Sequence, residues 1–291
     1  MTTKTLFQST LRLVDTLSFS TETKKSLDSH ISLSFFEKHT NYCHALTKIQ
    51  DAENANKQMF DSLAPTDPDG MQQLSIYLGA AAITHTLYQK AGIPEHIFFD
   101  TMSCFPRFVN ETFEKEGHYC FDRGFWVWRQ TSCRLFTLGT LEYEYRILSN
   151  SEPLPPGLKA GQAVLSVHIP STAVLSSELL RTSYQSALDF FKGPASRFCE
   201  CGSPKGIICG SWLLAPILSR FLSASSGIRQ FAQDYMIYAE DPQDENFYLW
   251  VFGKKEDPQK LPQTTSLQRA VRTHLLSGGT IGSAYGILNI Q

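Results

Sequence analysis

Residues 163–178 read AVLSVHIPSTAVLSSE: an apolar, β-branched run that ends at a proline and continues through a hydroxyl-rich loop. The run Ala163–Ile169 predicts a strand that enters a turn. Ser176 or Ser177 can cap the helix that follows, over Glu178–Phe191, because a side-chain oxygen there accepts an unpaired N–H of the first turn. The stretch therefore predicts a strand, a loop and a helix in succession.

A second apolar run, Gly206–Ser211, predicts a strand that leads into a helix over Trp212–Leu222. Two successive strand-to-helix units place their strands parallel, joined by a right-handed crossover. Residues 134–148 alternate apolar and charged side chains around Gly139, which predicts two strands joined by a tight bend or a bulge.

Further strands are predicted near the carboxyl end, at about 233–239, 246–253 and 281–290. A capping box formed by Thr265 and Gln268 predicts a helix before the last of them. The second half of the chain is therefore predicted to mix helices and strands.

The first half of the chain predicts helices only. Met71–Ala91 carries an apolar stripe at spacings of three and four and stops at Gly92, which is typical of an amphipathic helix. Helical spacing also runs over Lys24–Asp61, from Pro94, and after Pro106 to a glycine. The fold class is therefore predicted to be α+β, with a helical domain over 1–132 and a mixed domain over 133–291.

The amino-acid composition excludes several classes of protein and of function. The chain has 291 residues, of which 42% are hydrophobic, and 26 basic against 28 acidic side chains give a net charge of −2. These values exclude a disordered chain and speak against a nucleic-acid surface. The longest uncharged apolar stretch, Gly206–Ser219, is shorter than the roughly 20 residues that cross a bilayer, so no membrane segment is expected. Seven cysteines at irregular spacing, without a signal peptide, predict reduced thiols in the cytoplasm.

Sequence motifs for common chemistries are missing: there is no GxxxxGK[ST], GxGxxG, HExxH or GxSxG. Cys199, Cys201 and Cys209 have no standard zinc spacing, and the pair His39 and Cys43 offers too few ligands. No metal is predicted.

Three local features allow a functional and a structural interpretation. Cys209 lies where a strand should end, so it is either a nucleophile with His168 as its base or a buried structural thiol. The loop Pro170–Ser177 is either an anion site at a helix N-terminus or a capped turn. Trp126 and Trp128 either pack in the core or form a wall against a ligand.

A series of short motifs in this order resembles a known family. They are Trp128–Gln130, Leu135–Glu144, Val167–Pro170, Cys209–Leu214, Thr265–Ala270 and Gly278–Gly279, together with the helical segment Gly92–Gly117. They resemble bacterial acyltransferase domain-containing proteins, in which an N-acyltransferase N-terminal helical domain precedes a GNAT-like acyltransferase domain. The resemblance implies a GNAT-like mixed α/β domain with a central, mostly antiparallel sheet.

The resemblance also implies a co-substrate, acetyl-CoA or another acyl-CoA. In this fold a fourth strand binds the pantetheine arm, a helix N-terminus receives the pyrophosphate, and a fifth strand splays from the fourth. Ala163–Ile169 would be the fourth strand and Gly206–Ser211 the fifth. The residues expected to bind coenzyme A are His168, Ile169, Ser171, Thr172, Ala173, Val174, Ser176 and Ser177.

The implied reaction is direct transfer of an acyl group, acetyl in the first place, to the amine of a small molecule or peptide. The amine must lose a proton to attack, and the candidate bases are Glu144 first, then Glu142 and His168. The competing interpretation of Glu144, which the pattern favours, is a solvated carboxylate on the strand face. Ser211 or Cys209 could give a proton to the departing thiolate, and a backbone N–H near His168 could stabilise the oxyanion.

Two alternatives to this reaction stay open. The loop after Pro170 lacks the glycine-rich signature with which GNAT enzymes bind pyrophosphate, so the chain could instead be an inactive GNAT-like module that binds a ligand or a protein. The other alternative is acyl transfer through a Cys209 nucleophile with His168. The sequence leaves the oligomeric state open, a homodimer included.

Overall fold

A computed structural model describes residues 1–289, so the end of the predicted 281–290 strand, Ile290, lies outside the described residues. The chain divides into two compact units. The first comprises Met1–Leu138 with Gly193–Phe198, and the second comprises Gly139–Lys192 with the chain from Cys199 onward. The predicted boundary near residue 132 lies just before the first strand. No helix among the described residues is long and apolar enough to cross a membrane.

The first unit is helical, as predicted. Its elements are α1 (Thr3–Thr16), α2 (Thr21–His30), α3 (Leu33–Ala45), α4 (Ala52–Leu63), α5 (Met71–Ala91), α6 (Glu95–Met102), α7 (Cys104–Glu116), α8 (Gly124–Thr131) and the strand β1 (Leu135–Leu138). The predicted bounds of α5 are confirmed, but its stripe is not, since the side chains from Gln73 to Thr84 are buried all round the helix. The segment Lys24–Asp61, predicted to be helical, lies in the three helices α2, α3 and α4.

The second unit contains the predicted mixed sheet. Its elements are β2 (Leu141–Ile147), β3 (Ala163–His168), α9 (Ser177–Lys192), β4 (Ile207–Ser211), α10 (Gly227–Gln233), β5 (Tyr235–Asp241), α11 (Phe247–Phe252), α12 (Ser266–Leu276) and β6 (Ser283–Leu288). The strand order in this unit is β2-β3-β4-β6-β5. Only β3 and β4 pair in parallel, while the other three pairs are antiparallel, so the expected mostly antiparallel sheet is confirmed.

Local signals explain the elements that were predicted correctly. Gly139, with φ of 68°, makes the bend before β2, a backbone conformation that favours glycine. The capping box of Thr265 and Gln268 is present in full at the start of α12. Tyr143 and Tyr145 alternate along β2 with acidic residues and point toward α9, where the Tyr143 hydroxyl lies 2.9 Å from Ser183 Oγ.

Two predictions in this unit are wrong. Residues 246–253 form the helix α11 rather than a strand, because Phe247, Val251 and neighbouring apolar residues pack at helical spacing into a core. The helix predicted over Trp212–Leu222 is two 3₁₀ turns, since Pro216 has no N–H to donate and holds Ala215 in an extended conformation with ψ of 121°.

Candidate active site

The parallel strands β3 and β4 are hydrogen-bonded to each other over only part of their length. The last register partners are Ser166 of β3 and Ile208 of β4. Strand β3 nevertheless runs on to His168 and β4 to Ser211, without further pairing between them. Backbone groups that would otherwise form the ladder are thus left without a strand partner at this edge, and the predicted splay between the two strands is present.

One face of the sheet beside this split carries three of the predicted catalytic residues. Antiparallel register pairs Glu142 with His168 and Glu144 with Ser166, and paired residues share a face. The structure brings two side chains into direct contact: His168 Nε2 lies 2.9 Å from Glu144 Oε2. The Glu144 side chain is the more enclosed, with 11% of it exposed against 26% of His168.

The two carboxylates on this face are buried. Glu142 is 3% exposed and Glu144 is 8% exposed, so the alternative of a solvated strand-face carboxylate at Glu144 is wrong. An ionised carboxylate withdrawn from water is costly unless charged or polar groups compensate it. An imidazole beside Glu144 supplies such compensation, and a carboxylate in this position stabilises the ring when it gains a proton.

The structure does not bring Cys209 to this site. Ser166 is level with Ile208, so the next residue, Cys209, points to the opposite face of the sheet from His168. The thiol is fully buried, and burial raises its pKa to about 12. A Cys209–His168 pair therefore does not form, and a thiol this basic is a poor nucleophile at neutral pH.

Ser211 alternates with Gly210 and shares the face of Cys209. Its Oγ accepts the Leu213 N–H at 3.1 Å and so caps the short 3₁₀ turn after β4. The hydroxyl therefore has a structural role at the end of the strand, close to the split but not beside His168.

The loop between β3 and α9 uses more of its backbone N–H groups in hydrogen bonds within the protein than predicted. The Ala173 N–H donates to Pro170 O at 2.9 Å, and the Val174 N–H donates to Thr140 Oγ1 at 2.7 Å. The Thr140 hydroxyl donates in return to Val174 O at 3.1 Å. Two of the N–H groups expected to bind an anion, those of Ala173 and Val174, are thus already used. No sequence signal could have identified Thr140, because it lies 34 residues from its partner.

The first turn of α9 keeps unpaired donors. Ser176 caps the helix: its carbonyl accepts the Leu180 N–H at 2.9 Å. The N–H groups of Ser177 and Glu178 donate to no atom of the described chain, as expected at a helix N-terminus. Ser171, Thr172 and Ser177 are exposed around this turn. An anion can be held here by two N–H groups and the helix dipole, although the Glu178 carboxylate opposes it.

The remaining candidates form no site in the described residues. No group of three or more His, Cys, Asp or Glu within residues 1–289 is arranged to hold a metal ion. The Cys43 thiol is buried in the helical unit and lies 3.5 Å from Ile76 O. The Arg129 guanidinium lies 4.3 Å from the Trp126 ring centroid and 4.6 Å from that of Trp128, so it already covers the rings proposed as a ligand wall.

Comparison with known structures supports the fold. An acyltransferase in complex with decanoyl-CoA and teicoplanin is 21% identical, with a TM-score of 0.66 over 76% of this chain and 66% of that one. An acyltransferase mutant in complex with octanoyl-CoA is 17% identical, with a TM-score of 0.72 over 97% of this chain and 86% of that one. The chain thus spans just under two thirds of the length of the first. Identities this low show a shared fold. No curated protein sequence matches significantly.

Two family models match the chain one after the other. The N-acyltransferase N-terminal domain covers residues 22–133, and the GNAT-like C-terminal domain covers residues 135–288, which is more than half of the chain. The order agrees with that of the helical and mixed units, although the first unit runs on to Leu138 and also includes Gly193–Phe198. The chain therefore belongs to the acyltransferases that join an N-acyltransferase N-terminal domain to a GNAT-like C-terminal domain.

Proposed function

We propose that this chain is an acyl-CoA-dependent N-acyltransferase that passes the acyl group directly to an amine at the split between β3 and β4. The observation that carries the proposal is the Glu144–His168 pair, in which the imidazole lies on the strand that borders the split and the carboxylate on the next strand, β2. A buried acid that orients an imidazole beside an open strand edge suits proton transfer from an attacking amine. The acyl-CoA complexes of the similar structures support the choice of donor.

The acyl-CoA would lie along the open edge of β3, where amide groups such as those of a pantetheine arm can pair with backbone groups beyond Ser166. The pyrophosphate would lie at the first turn of α9, held by the N–H groups of Ser177 and Glu178. Ser171 and Thr172 are exposed beside it and can add hydroxyl donors. Because Ala173 and Val174 use their N–H groups internally, we expect weaker coenzyme binding than a full nest of N–H groups would give.

In the proposed reaction the amine nitrogen forms a bond to the thioester carbon, and the carbon–sulfur bond breaks. His168 takes the amine proton on its imidazole ring, which Glu144 contacts at Nε2. Glu144 acts as the positioning residue that holds the ring and stabilises its positive charge, which reverses the order of preference inferred from sequence. The thiolate leaves and gains its proton from solvent, because Ser211, the donor expected from the sequence, lies on the opposite face of the sheet from His168.

The acyl group and the acceptor are finer parts of the proposal. Acetyl stays the predicted group, and octanoyl and decanoyl are compared with it because similar structures hold those donors. The acceptor is proposed to be the amine of a small molecule or a peptide. One similar structure holds teicoplanin, which supports a small-molecule acceptor.

Calorimetry and thiol release test the proposal together. The purified chain is titrated with coenzyme A and with acetyl-, octanoyl- and decanoyl-CoA, and release of the thiol is followed with a panel of primary amines. Amine-dependent release with stoichiometric amide, detected by mass spectrometry, is the expected result. Binding without transfer would favour the inactive ligand-binding module, and no binding at millimolar concentration would overturn the proposal.

A further inference from the structure

The ring of Tyr285 lies against the strand across the split from His168, with its Cδ1–Cε1 edge nearest to that strand. Tyr285 and Gly210 are register partners on β6 and β4. A Cβ atom on Gly210 would lie 2.9 Å from both Cδ1 and Cε1 of the ring, closer than real contacts allow. Because glycine has no side chain, the Tyr285 ring can contact the backbone of β4 at this position.

A second ring stands beside the first. The β5–β6 register shifts between Ile237 and Ala239, so Tyr238 is the extra residue of a β-bulge. Its ring centroid lies 6.4 Å from that of Tyr285, with the planes inclined by 39°. Both side chains are half-buried, and neither hydroxyl has a hydrogen-bond partner within residues 1–289. The two rings form a surface on the same sheet face as Glu144 and are able to contact a ligand.

The charges around this pair favour a cation. Burial raises the pKa of the Tyr285 hydroxyl, and Asp241, Asp244 and Glu152 raise it further, whereas Arg146 lowers it. Arg146 and Glu152 form an ion pair. Asp241 and Asp244 each accept a backbone N–H from two residues further on, and neither forms an ion pair with a described residue. Both carboxylates thus lack a counter-ion among the described residues, and the faces of aromatic rings also attract positive charge.

Register sets the distance between this surface and the proposed base. Ser166 is level with Ile208, so His168 is level with Gly210 on the other side of the split. Paired strands lie about 4.8 Å apart and the split widens this spacing, so the Tyr285 ring, which lies against Gly210 on the neighbouring strand β4, is at least about 5 Å from His168. A chain of about five carbons spans such a distance.

We propose that Tyr238 and Tyr285 form the acceptor subsite, and that this subsite takes an amine that carries a second positive charge about five carbons from its reacting nitrogen. The inference rests on the proposed acyl transfer at His168 and names the class of acceptor for it. The rings and the carboxylates of Asp241 and Asp244 hold the distal cation, while the near nitrogen lies at the imidazole.

A pair of amines that differ only in charge tests this inference. One is (5-aminopentyl)trimethylammonium, and the other is 6,6-dimethylheptylamine, in which a tert-butyl group replaces the trimethylammonium group. Each compound has one reacting nitrogen, so the two kcat/KM values can be compared without a correction for the number of reacting amines. We expect the cationic amine to have a kcat/KM about tenfold higher at low ionic strength, and the ratio to fall as salt is added.

Substitutions at Tyr285 test whether the aromatic rings cause the preference for the cationic amine. Tyr285→Leu should bring the ratio of the two kcat/KM values to below threefold, whereas Tyr285→Phe should retain most of it because the ring face remains. Tyr119→Leu is the matched control, since Tyr119 is a half-buried tyrosine of the helical unit, and it should leave the ratio unchanged. Circular dichroism confirms that each variant is folded.

The outcomes separate this inference from the proposed function. Equal kcat/KM for the two amines, or an equal loss for both in Tyr285→Leu, would overturn the acceptor subsite and leave acyl transfer intact. No transfer to any amine would overturn the proposed function and the subsite with it.

Discussion

His168 and Glu144 meet across neighbouring strands, with Nε2 of the imidazole 2.9 Å from Oε2 of the carboxylate. The pair is built by register, since Glu144 lies opposite Ser166 and its side chain reaches diagonally to the residue two positions further along β3. The carboxylate is enclosed and the imidazole more exposed. This asymmetry makes His168 the group that a substrate can reach and Glu144 the group that holds it.

We expect Glu144→Gln to lower kcat for acyl transfer about 100-fold, because an amide keeps the contact with His168 but cannot stabilise its positive charge. Affinity for coenzyme A should change less than threefold. The dependence of kcat on pH should also change in this variant. A residue with a merely structural role would leave that dependence unchanged. Glu240→Gln, at an exposed position on β5, is the control and should leave kcat unchanged. A fully active Glu144→Gln enzyme would contradict this mechanism.

Thr140→Val should weaken coenzyme A binding about three- to tenfold, because it removes both hydrogen bonds that fix Val174. The N–H and C=O of Val174 would lose their partner, and the loop before α9 would be less ordered, at a cost of about 1 kcal/mol. Calorimetry measures the affinity. Thr140→Ser keeps the hydroxyl and should bind as the wild type does. Weakening in Thr140→Ser but not in Thr140→Val would show that the methyl group, which valine keeps, matters rather than the hydrogen bonds.

Alkylation by iodoacetamide should rank the cysteines by burial and by pKa. Cys201 is exposed and should react first, whereas burial raises the pKa of Cys199 to about 11 and that of Cys209 to about 12. Only the thiolate reacts, so the rate at Cys199 should rise about tenfold per pH unit between pH 7 and 9. Peptide mass spectrometry measures each site.

Cys209 should stay unmodified until the chain unfolds, and all cysteines should react alike in denaturant, which is the control. Modification of Cys209 at pH 7 together with loss of activity would contradict its burial and would restore the thiol mechanism.

Much of the fold could be predicted because its signals are local. Alternation at Tyr143 and Tyr145, the bend at Gly139 and the capping box at Thr265 each depend on residues within a few positions of one another. Residues 246–253 were misassigned because short aromatic and apolar runs are ambiguous between strand and helix, and packing decides between them. Pro216 could have corrected the helix predicted after β4.

The site was less accessible to sequence reasoning. The sequence identifies Glu144, Glu142 and His168 individually as candidates. That they share one face follows from the pairing of β2 with β3, which brings together residues such as Glu144 and His168 that are 24 positions apart. The same register separates Cys209 from His168, which no local pattern shows. Tyr238 and Tyr285 are brought together by a bulge and by two strands that are distant in sequence. Such contacts depend on tertiary pairing, not on propensity.

Gly210→Ala should destabilise the chain by about 1 to 3 kcal/mol, because the added Cβ would lie 2.9 Å from two ring carbons of Tyr285 and the ring must move. Urea unfolding measures the free energy of unfolding. Gly206→Ala is the matched control: its Cβ would meet only the ends of the Ile287 and Leu158 side chains, at 3.3 and 3.8 Å, and should cost less.

The double variant Gly210→Ala with Tyr285→Leu tests the cause of this loss. If the ring is what the new methyl group meets, replacing it with leucine relieves the clash, and the double variant should be more stable than the sum of the two single effects by about 1 kcal/mol. Strictly additive effects would show that Gly210 is required for a reason other than Tyr285. A relieved clash would establish that β4 has no side chain here so that a ring can lie against its backbone, beside the proposed acyl-transfer site.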